Sequence, residues 1–118
     1  MSLRNGTKYE TECKKLLEQY STVLNLSPSE PGDLIVPELM QIHEVKSVRG
    51  DAFHLSHPKE REQLRKLIEL CTNIGYALYY DVKFLGRGWR SFLITGPFTA
   101  LTVKGEIRHK RSGKGGDK

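Results

Sequence analysis

Two long runs of β-forming residues, at 39–48 and 76–84, lie on either side of an amphipathic helix pattern. The helix is expected to begin at Pro58 and to end at Gly75, because a glycine can adopt the left-handed conformation that closes many helices. Strands joined through a helix predict an α/β domain built on a central sheet.

The remaining patterns are shorter and fit one domain. They predict a helix over 7–20 and strands over 21–27, 33–36, 89–94 and 98–105. Without the last of these strands, 98–105, the order is α-β-β-β-α-β-β, which is typical of a mixed sheet with helices packed against it. A chain of 118 residues can bury one core and not two. We assign residues 1–105 to this domain and residues 106–118 to a flexible tail.

The charge of the chain is concentrated at its C-terminal end. The net charge is +5, and residues 104–118 contain six basic and two acidic residues. A basic segment of this kind favours a polyanionic partner, most often a nucleic acid. The alternative is a tail that is basic only for solubility.

Several protein classes are excluded by what the sequence lacks. It has no apolar run of membrane-spanning length and no signal-peptide core near its start, so we expect a cytoplasmic protein. Cys13 and Cys71 fall in helix patterns without the spacing of a zinc site, and we expect two buried, inert thiols. The four histidines show no metal-ligand spacing, which favours structural or surface roles.

Charged residues occupy positions where the strand pattern would place apolar ones. Glu44 and Lys46 lie on the same face of the predicted strand as the apolar residues Ile42 and Val48. Asp33 opens the preceding strand, and an antiparallel hairpin would bring it close to Glu44.

Glu10 lies on the same helical stripe as Cys13 and Leu17, so it should point inward. Converging carboxylates bind a hard cation such as Mg²⁺, and a nearby ammonium group can help to activate water or neutralise a phosphate. Together these groups predict phosphodiester hydrolysis. Taken singly, Glu10 could instead form a capping box with Thr7, and Asp33 could be a turn residue.

Five segments of the chain, in order and with matching spacing, resemble the archaeal-type Holliday junction resolvases of the PD-(D/E)xK nuclease superfamily. They are GTKYETECKKLLEQY, PGDLIV, IHEVKS, FHLS followed by REQLRKLIEL, and VKFLGRGWR. The resemblance spans about residues 5–94. It implies a restriction-endonuclease-like fold, a twisted mixed sheet flanked by helices, and a prokaryotic or viral origin.

The resemblance also implies a site. It makes Lys46 the catalytic lysine and places Ser29, or alternatively Ser27, in a mobile loop that reaches into the junction. The implied cofactor is Mg²⁺, with Mn²⁺ as a substitute. The implied metal ligands are Glu10, Asp33, Glu44 and the carbonyl of Val45.

The family acts as a homodimer on branched DNA, which implies two further surfaces. The dimer contact would use the second apolar stripe of the 58–74 helix, with Leu67, Leu70 and Ile74. The arginines that the family carries near its first helix and strand are replaced here by Thr11 and Asn25. DNA contact is therefore expected to move to the tail and to Lys8, Lys14, Arg49 and Arg87.

Two alternatives remain at this point. One is a related nuclease that cuts other branched or duplex DNA. The other is a non-catalytic, basic DNA-binding protein, which would need neither a metal ion nor Glu44. The expected acidic cluster argues against the second, because acids repel phosphate unless a cation lies between them.

Overall fold

The computed structural model describes residues 2–109, and of residues 2–7 only the backbone. Two α-helices, eight strands and a 3-10 turn follow one another along this part of the chain. The helices are α1 (Ser2–Leu17) and α2 (Pro58–Ile74), and the turn is Pro37–Leu39. The strands are β1 (Leu24–Asn25), β2 (Leu34–Val36), β3 (Gln41–Val48), β4 (Ala52–His54), β5 (Ala77–Phe84), β6 (Gly88–Ile94), β7 (Ala100–Thr102) and β8 (Ile107–Arg108).

The main sheet has five strands in the order β1-β2-β3-β5-β6. β3 and β5 are parallel and the other neighbours are antiparallel, so the sheet is mixed as predicted. A parallel pair requires a crossover connection, and α2 lies within it. The predicted α/β fold class is confirmed.

The ends of α2 follow from local chemistry. The side chain of His57 accepts a hydrogen bond from the backbone N–H of Lys59 and caps the helix. Pro58 fits the first turn because its missing N–H would have no helical partner there. Gly75 closes the helix with φ 74°, and its N–H donates to the carbonyl of Cys71. Both predicted ends are confirmed.

The two faces of the main sheet are covered by different elements. α1 covers one face, where its Cys13 packs with Val23, Leu34 and Val36. α2 covers the other face together with a second sheet, β4-β7-β8, and the larger core lies between these layers. Alternation along β3 explains the division, since Ile42 belongs to the larger core and Val45 packs against the smaller one.

The second sheet is the main difference from the expected architecture. The sequence predicted one strand over 98–105 as part of a single sheet, whereas β7 covers Ala100–Thr102 and pairs with β4 and β8. These strands have two or three residues each. Runs this short carry too little alternation to be recognised, and they form only by pairing with distant partners.

The described ends of the chain also differ from expectation. The expected capping box requires Thr7 to be the N-cap residue of the helix. α1 begins at Ser2 instead, so Thr7 lies inside the helix. β8 falls within the segment assigned to the tail, and residues 110–118 lie outside the described residues. None of the helices in the described part is long and apolar enough to cross a membrane.

Candidate active site

Asp33 is placed by a close approach of the chain before β2. Gly32 has φ 90°, and a Cβ atom there would lie 2.9 Å from Ile42 Cγ2 and 3.3 Å from Leu67 Cδ2. Only glycine fits this conformation and this space. The N–H of Asp33 donates to the carbonyl of His43 at 3.0 Å, which begins the antiparallel pairing with β3. The predicted hairpin is confirmed.

The carboxylate of Asp33 is anchored to β3 as well. Its Oδ2 accepts a hydrogen bond from the backbone N–H of Val45 at 2.7 Å. The bond favours the ionised form, but burial has the larger effect and raises the pKa of Asp33 above its ordinary value. Asp33 therefore lies beside Glu44, as the hairpin predicted.

Glu44 and Lys46 share the face of β3 that carries the larger core. Glu44 is 5% exposed, and its Oε2 lies 3.3 Å from the Nζ of Lys46. Its second oxygen, Oε1, is buried and has no hydrogen-bond donor among the described residues. Burial, and to a smaller extent the charge of Asp33, raise the pKa of Glu44 to about 7 against the opposing effect of Lys46.

Glu10 reaches the same place from α1. Burial, the charge of Asp33 and a hydrogen bond to Asp33 together raise the pKa of Glu10 to about 7. The structure thus brings together Glu10, Asp33, Glu44 and Lys46.

The donor set has the chemistry of a site for a hard cation. The charge of Asp33 raises the pKa of both Glu10 and Glu44, and one buried oxygen of Glu44 has no donor among the described residues. Within residues 2–109, no three His, Cys, Asp or Glu side chains are arranged to hold a metal ion as they stand.

Ser29 lies in the exposed loop before Asp33, where the resemblance placed a serine. Its hydroxyl is 2.8 Å from that of Ser27, and its N–H donates to Ser27 Oγ. The two serines identified as alternatives are therefore hydrogen-bonded to each other.

The four residues proposed for DNA contact have different surroundings. Lys8 and Arg49 are exposed. Lys14 donates to Asn25 Oδ1 at 2.7 Å, and Arg87 donates to Asp51 Oδ1 at 2.9 Å.

The expected dimer residues differ in what they can offer a partner. Leu67 is fully buried in the core of its own chain, because it packs under Gly32, and has no surface left for a second copy. Leu70 is half-buried against the same core, and Ile74 is 44% exposed. Beyond α2, a cavity of about 340 Å³ between the helix and the ends of β5 and β6 is lined by Tyr76 and Leu93, among others.

Two features of the site were not predicted from the sequence. Glu60, in the first turn of α2, has its Oε2 3.9 Å from the Nζ of Lys46. On the opposite face of the main sheet, Asp81 of β5 accepts hydrogen bonds from His43 and Cys13. The only sequence signal for Asp81 is an acid inside the apolar run of β5, a position that strand alternation alone would fill with an apolar residue.

No family model matches the sequence, and no curated protein matches it. The structure matches that of Hjc from Archaeoglobus fulgidus, a Holliday junction resolvase from an archaeal hyperthermophile. The match has a TM-score of 0.66 and 19% sequence identity, and it covers 85% of each chain. The chain therefore has the fold of this Holliday junction resolvase.

Proposed function

We propose that the protein is a metal-dependent endonuclease that resolves four-way DNA junctions by paired nicks. The observation that carries the proposal is the cluster of Glu10, Asp33, Glu44 and Lys46, with the unpaired Oε1 of Glu44, in the fold of a resolvase. A purely structural cluster would be expected to pair its buried oxygens.

The carboxylates of Glu10, Asp33 and Glu44, with the carbonyl of Val45, would hold Mg²⁺ or Mn²⁺. The bound ion would supply electrostatic stabilisation of the pentavalent phosphate and an activated water. Oδ2 of Asp33 accepts the N–H of Val45, so Oδ1 would be the oxygen offered to the ion. Ionisation of Glu10, whose pKa is raised to about 7, would complete the set of anionic ligands.

Lys46 would act on the phosphate or the water. Its ammonium lies between Glu44 and Glu60, and its side chain is 23% exposed, so it remains accessible to a ligand. An ammonium in this position can orient the water and neutralise charge on the scissile phosphate. Ser29 would contact the junction from the adjacent loop.

DNA binding would depend on shape and phosphates. The exposed cations Lys8 and Arg49 can meet phosphates directly, whereas Lys14 and Arg87 would first exchange their partners Asn25 and Asp51. Binding of this kind is strongly salt-dependent and largely independent of sequence.

Paired nicks require two sites, so we propose a homodimer. A two-fold dimer would present identical sites to opposite strands of a junction, which has matching symmetry. We place the dimer contact at the end of α2, where the exposed side chains of Ile74 and, on β6, Leu93 are apolar. Ile74→Glu should shift the sedimentation coefficient from dimer to monomer and convert paired nicks into single ones. Leu16→Glu, at an exposed apolar position on α1, should leave the dimer intact.

The first test compares a labelled four-way junction with a matched linear duplex, with and without Mg²⁺. Wild type should cut only the junction, symmetrically and only with the metal. Asp33→Asn should bind the junction and not cut it, and Glu69→Gln, an exposed carboxylate on α2, should behave as wild type.

Three outcomes would contradict the proposal in different ways. Equal cutting of the duplex would indicate a related nuclease with a broader substrate. Binding without cutting under any metal would indicate a non-catalytic DNA-binding protein. Full cleavage by Asp33→Asn would show that the site is elsewhere.

A further inference from the structure

We propose that Asp81, on the opposite face of the sheet from Glu44, is a positioning residue for the metal-binding site. It joins α1 to β3 and so fixes the carboxylates that these elements carry. This inference rests on the proposed function. Asp81 is 5% exposed and lies on β5, which supplies none of the proposed ligands.

The first connection runs to α1. The thiol of Cys13 donates to Asp81 Oδ2 at 3.3 Å, and both groups are buried. Glu10 precedes Cys13 by three residues, so the two lie about one turn apart on the same side of the helix. The bond therefore fixes the rotation and height of α1 at the turn next to the one that carries Glu10.

The second connection runs to β3. His43 Nδ1 lies 2.5 Å from Asp81 Oδ2, and its Nε2 lies 2.9 Å from Gln41 Oε1. The ring also stacks on Tyr79, with centroids 5.0 Å apart. With three contacts, the imidazole has little freedom to move.

His43 transmits this constraint to the site through the backbone. It directly precedes Glu44, and its carbonyl accepts the N–H of Asp33 at 3.0 Å. The next residue on that face, Val45, pairs with Asp81 in the parallel register and donates its N–H to Asp33. Asp81 is thus connected, through one or two residues, to every proposed carboxylate ligand.

The third partner of Asp81 supplies a control. Ser91 Oγ donates to Asp81 Oδ1 at 2.5 Å from β6, a strand with no proposed ligand. Ser91→Ala removes one bond of Asp81, from a residue that is itself exposed, but leaves both connections to the site. Asp81→Asn removes the negative charge of the acceptor and leaves one acceptor oxygen in place of two, which weakens the bonds from Cys13 and His43.

The test measures Ca²⁺ binding calorimetrically in the absence of DNA, so that no cleavage is needed. Asp81→Asn should bind Ca²⁺ about 10-fold more weakly than wild type, an effect typical of residues that orient metal ligands. Ser91→Ala should stay within about twofold of wild type. Hydrogen exchange of the Val45 amide, measured without metal, should accelerate in Asp81→Asn and not in Ser91→Ala.

A second pair of variants tests the α1 connection by itself and covers the case in which Asp81→Asn fails to fold. Cys13→Ala should weaken Ca²⁺ binding, and Cys13→Ser, which keeps a donor, should restore it. Wild-type Ca²⁺ affinity in both Asp81→Asn and Cys13→Ala would overturn the inference and leave the proposed function standing. Absence of divalent-cation binding and of cleavage in wild type would overturn the proposed function, and the inference with it.

Discussion

The two faces of the main sheet differ in how completely their buried polar groups are hydrogen-bonded. On the face towards α1, each oxygen of Asp81 accepts a hydrogen bond, and both nitrogens of His43 have a partner. On the other face, Glu44 Oε1 has no hydrogen-bond donor among the described residues, and the charges of Asp33 and Glu10 raise the pKa of Glu44. A satisfied network rigidifies a fold, whereas a half-satisfied one destabilises it unless a ligand completes it. The comparison favours a structural role for the buried polar groups on one face and agrees with the proposed metal site on the other.

The largest effect should come from the charged face. Lys46→Met should lower junction cleavage about 10²- to 10⁴-fold with little change in binding, because the ammonium acts on the reacting phosphate or water. Rates from single-turnover assays and affinities from gel shift at the same salt concentration measure the two quantities. Lys66→Met, at an exposed position on α2, should cut normally. An equal loss of cleavage in both variants would show that Lys46 has no specific role in the reaction.

The satisfied face should respond in stability. Asp81→Ala should lower the free energy of unfolding by about 3 kcal/mol, since it leaves the donors of His43 and Cys13 buried and unpaired. Urea denaturation measures the change. Asp51→Ala, at a carboxylate that is 74% exposed, should change it by less than about 0.5 kcal/mol. Similar values for the two variants would contradict the difference between the faces.

The close approach at Gly32 should link stability to the position of Asp33. Gly32→Ala should cost about 2 kcal/mol, because alanine is strained at φ 90° and its Cβ would press on Ile42. Cleavage should fall as well, since Asp33 follows directly. Gly96→Ala has open space and no positive φ, so urea unfolding should detect little change in that variant. A neutral Gly32→Ala would mean that the loop can relax without displacing Asp33.

The smallest effect concerns pH. The pKa values of Glu10 and Glu44 are each raised from 4.5 to about 7, so the metal-free native state binds protons more tightly than the unfolded chain. The resulting stability is present below pH 4.5 and is lost as the pH rises through 7.

Metal-free protein should therefore be more stable at pH 5 than at pH 8. Glu44→Gln should gain about 1 kcal/mol at pH 8 and lose cleavage. Urea unfolding at the two pH values provides the test. A wild type that gains stability between pH 5 and pH 8 would contradict the raised pKa values of Glu10 and Glu44.

The fold could be predicted where the information is local. The ends of α2 follow from His57, Pro58 and Gly75, and the hairpin of β2 and β3 follows from the short connection that begins at Pro37. The period of two in β3 assigned Glu44 and Lys46 to the face of Ile42, and burial of Ile42 and Glu44 confirms it. The second sheet was missed because its strands are short and pair only with distant partners.

The candidate site could be predicted in its residue types but not in its surroundings. An acid or a lysine in an apolar strand pattern is visible in a sequence, and this identified Glu44 and Lys46. Asp81 gives the same signal, but a role for it could not be predicted because the sequence pattern does not show which residues would contact its side chain. Glu60 was also missed, since an acid in the first turn of a helix already has an explanation in the helix dipole.

The sequence by itself determined the two helices, the hairpin and the strand face that bears the charges, because each depends on neighbours a few residues away. Tertiary structure decided that Glu10 meets Asp33, that Glu44 keeps an unpaired oxygen, and that Asp81 joins α1 to β3. These contacts depend on strand order and on which helix covers which face of the sheet. Both are set by burial of the whole apolar surface, a property that no single segment contains.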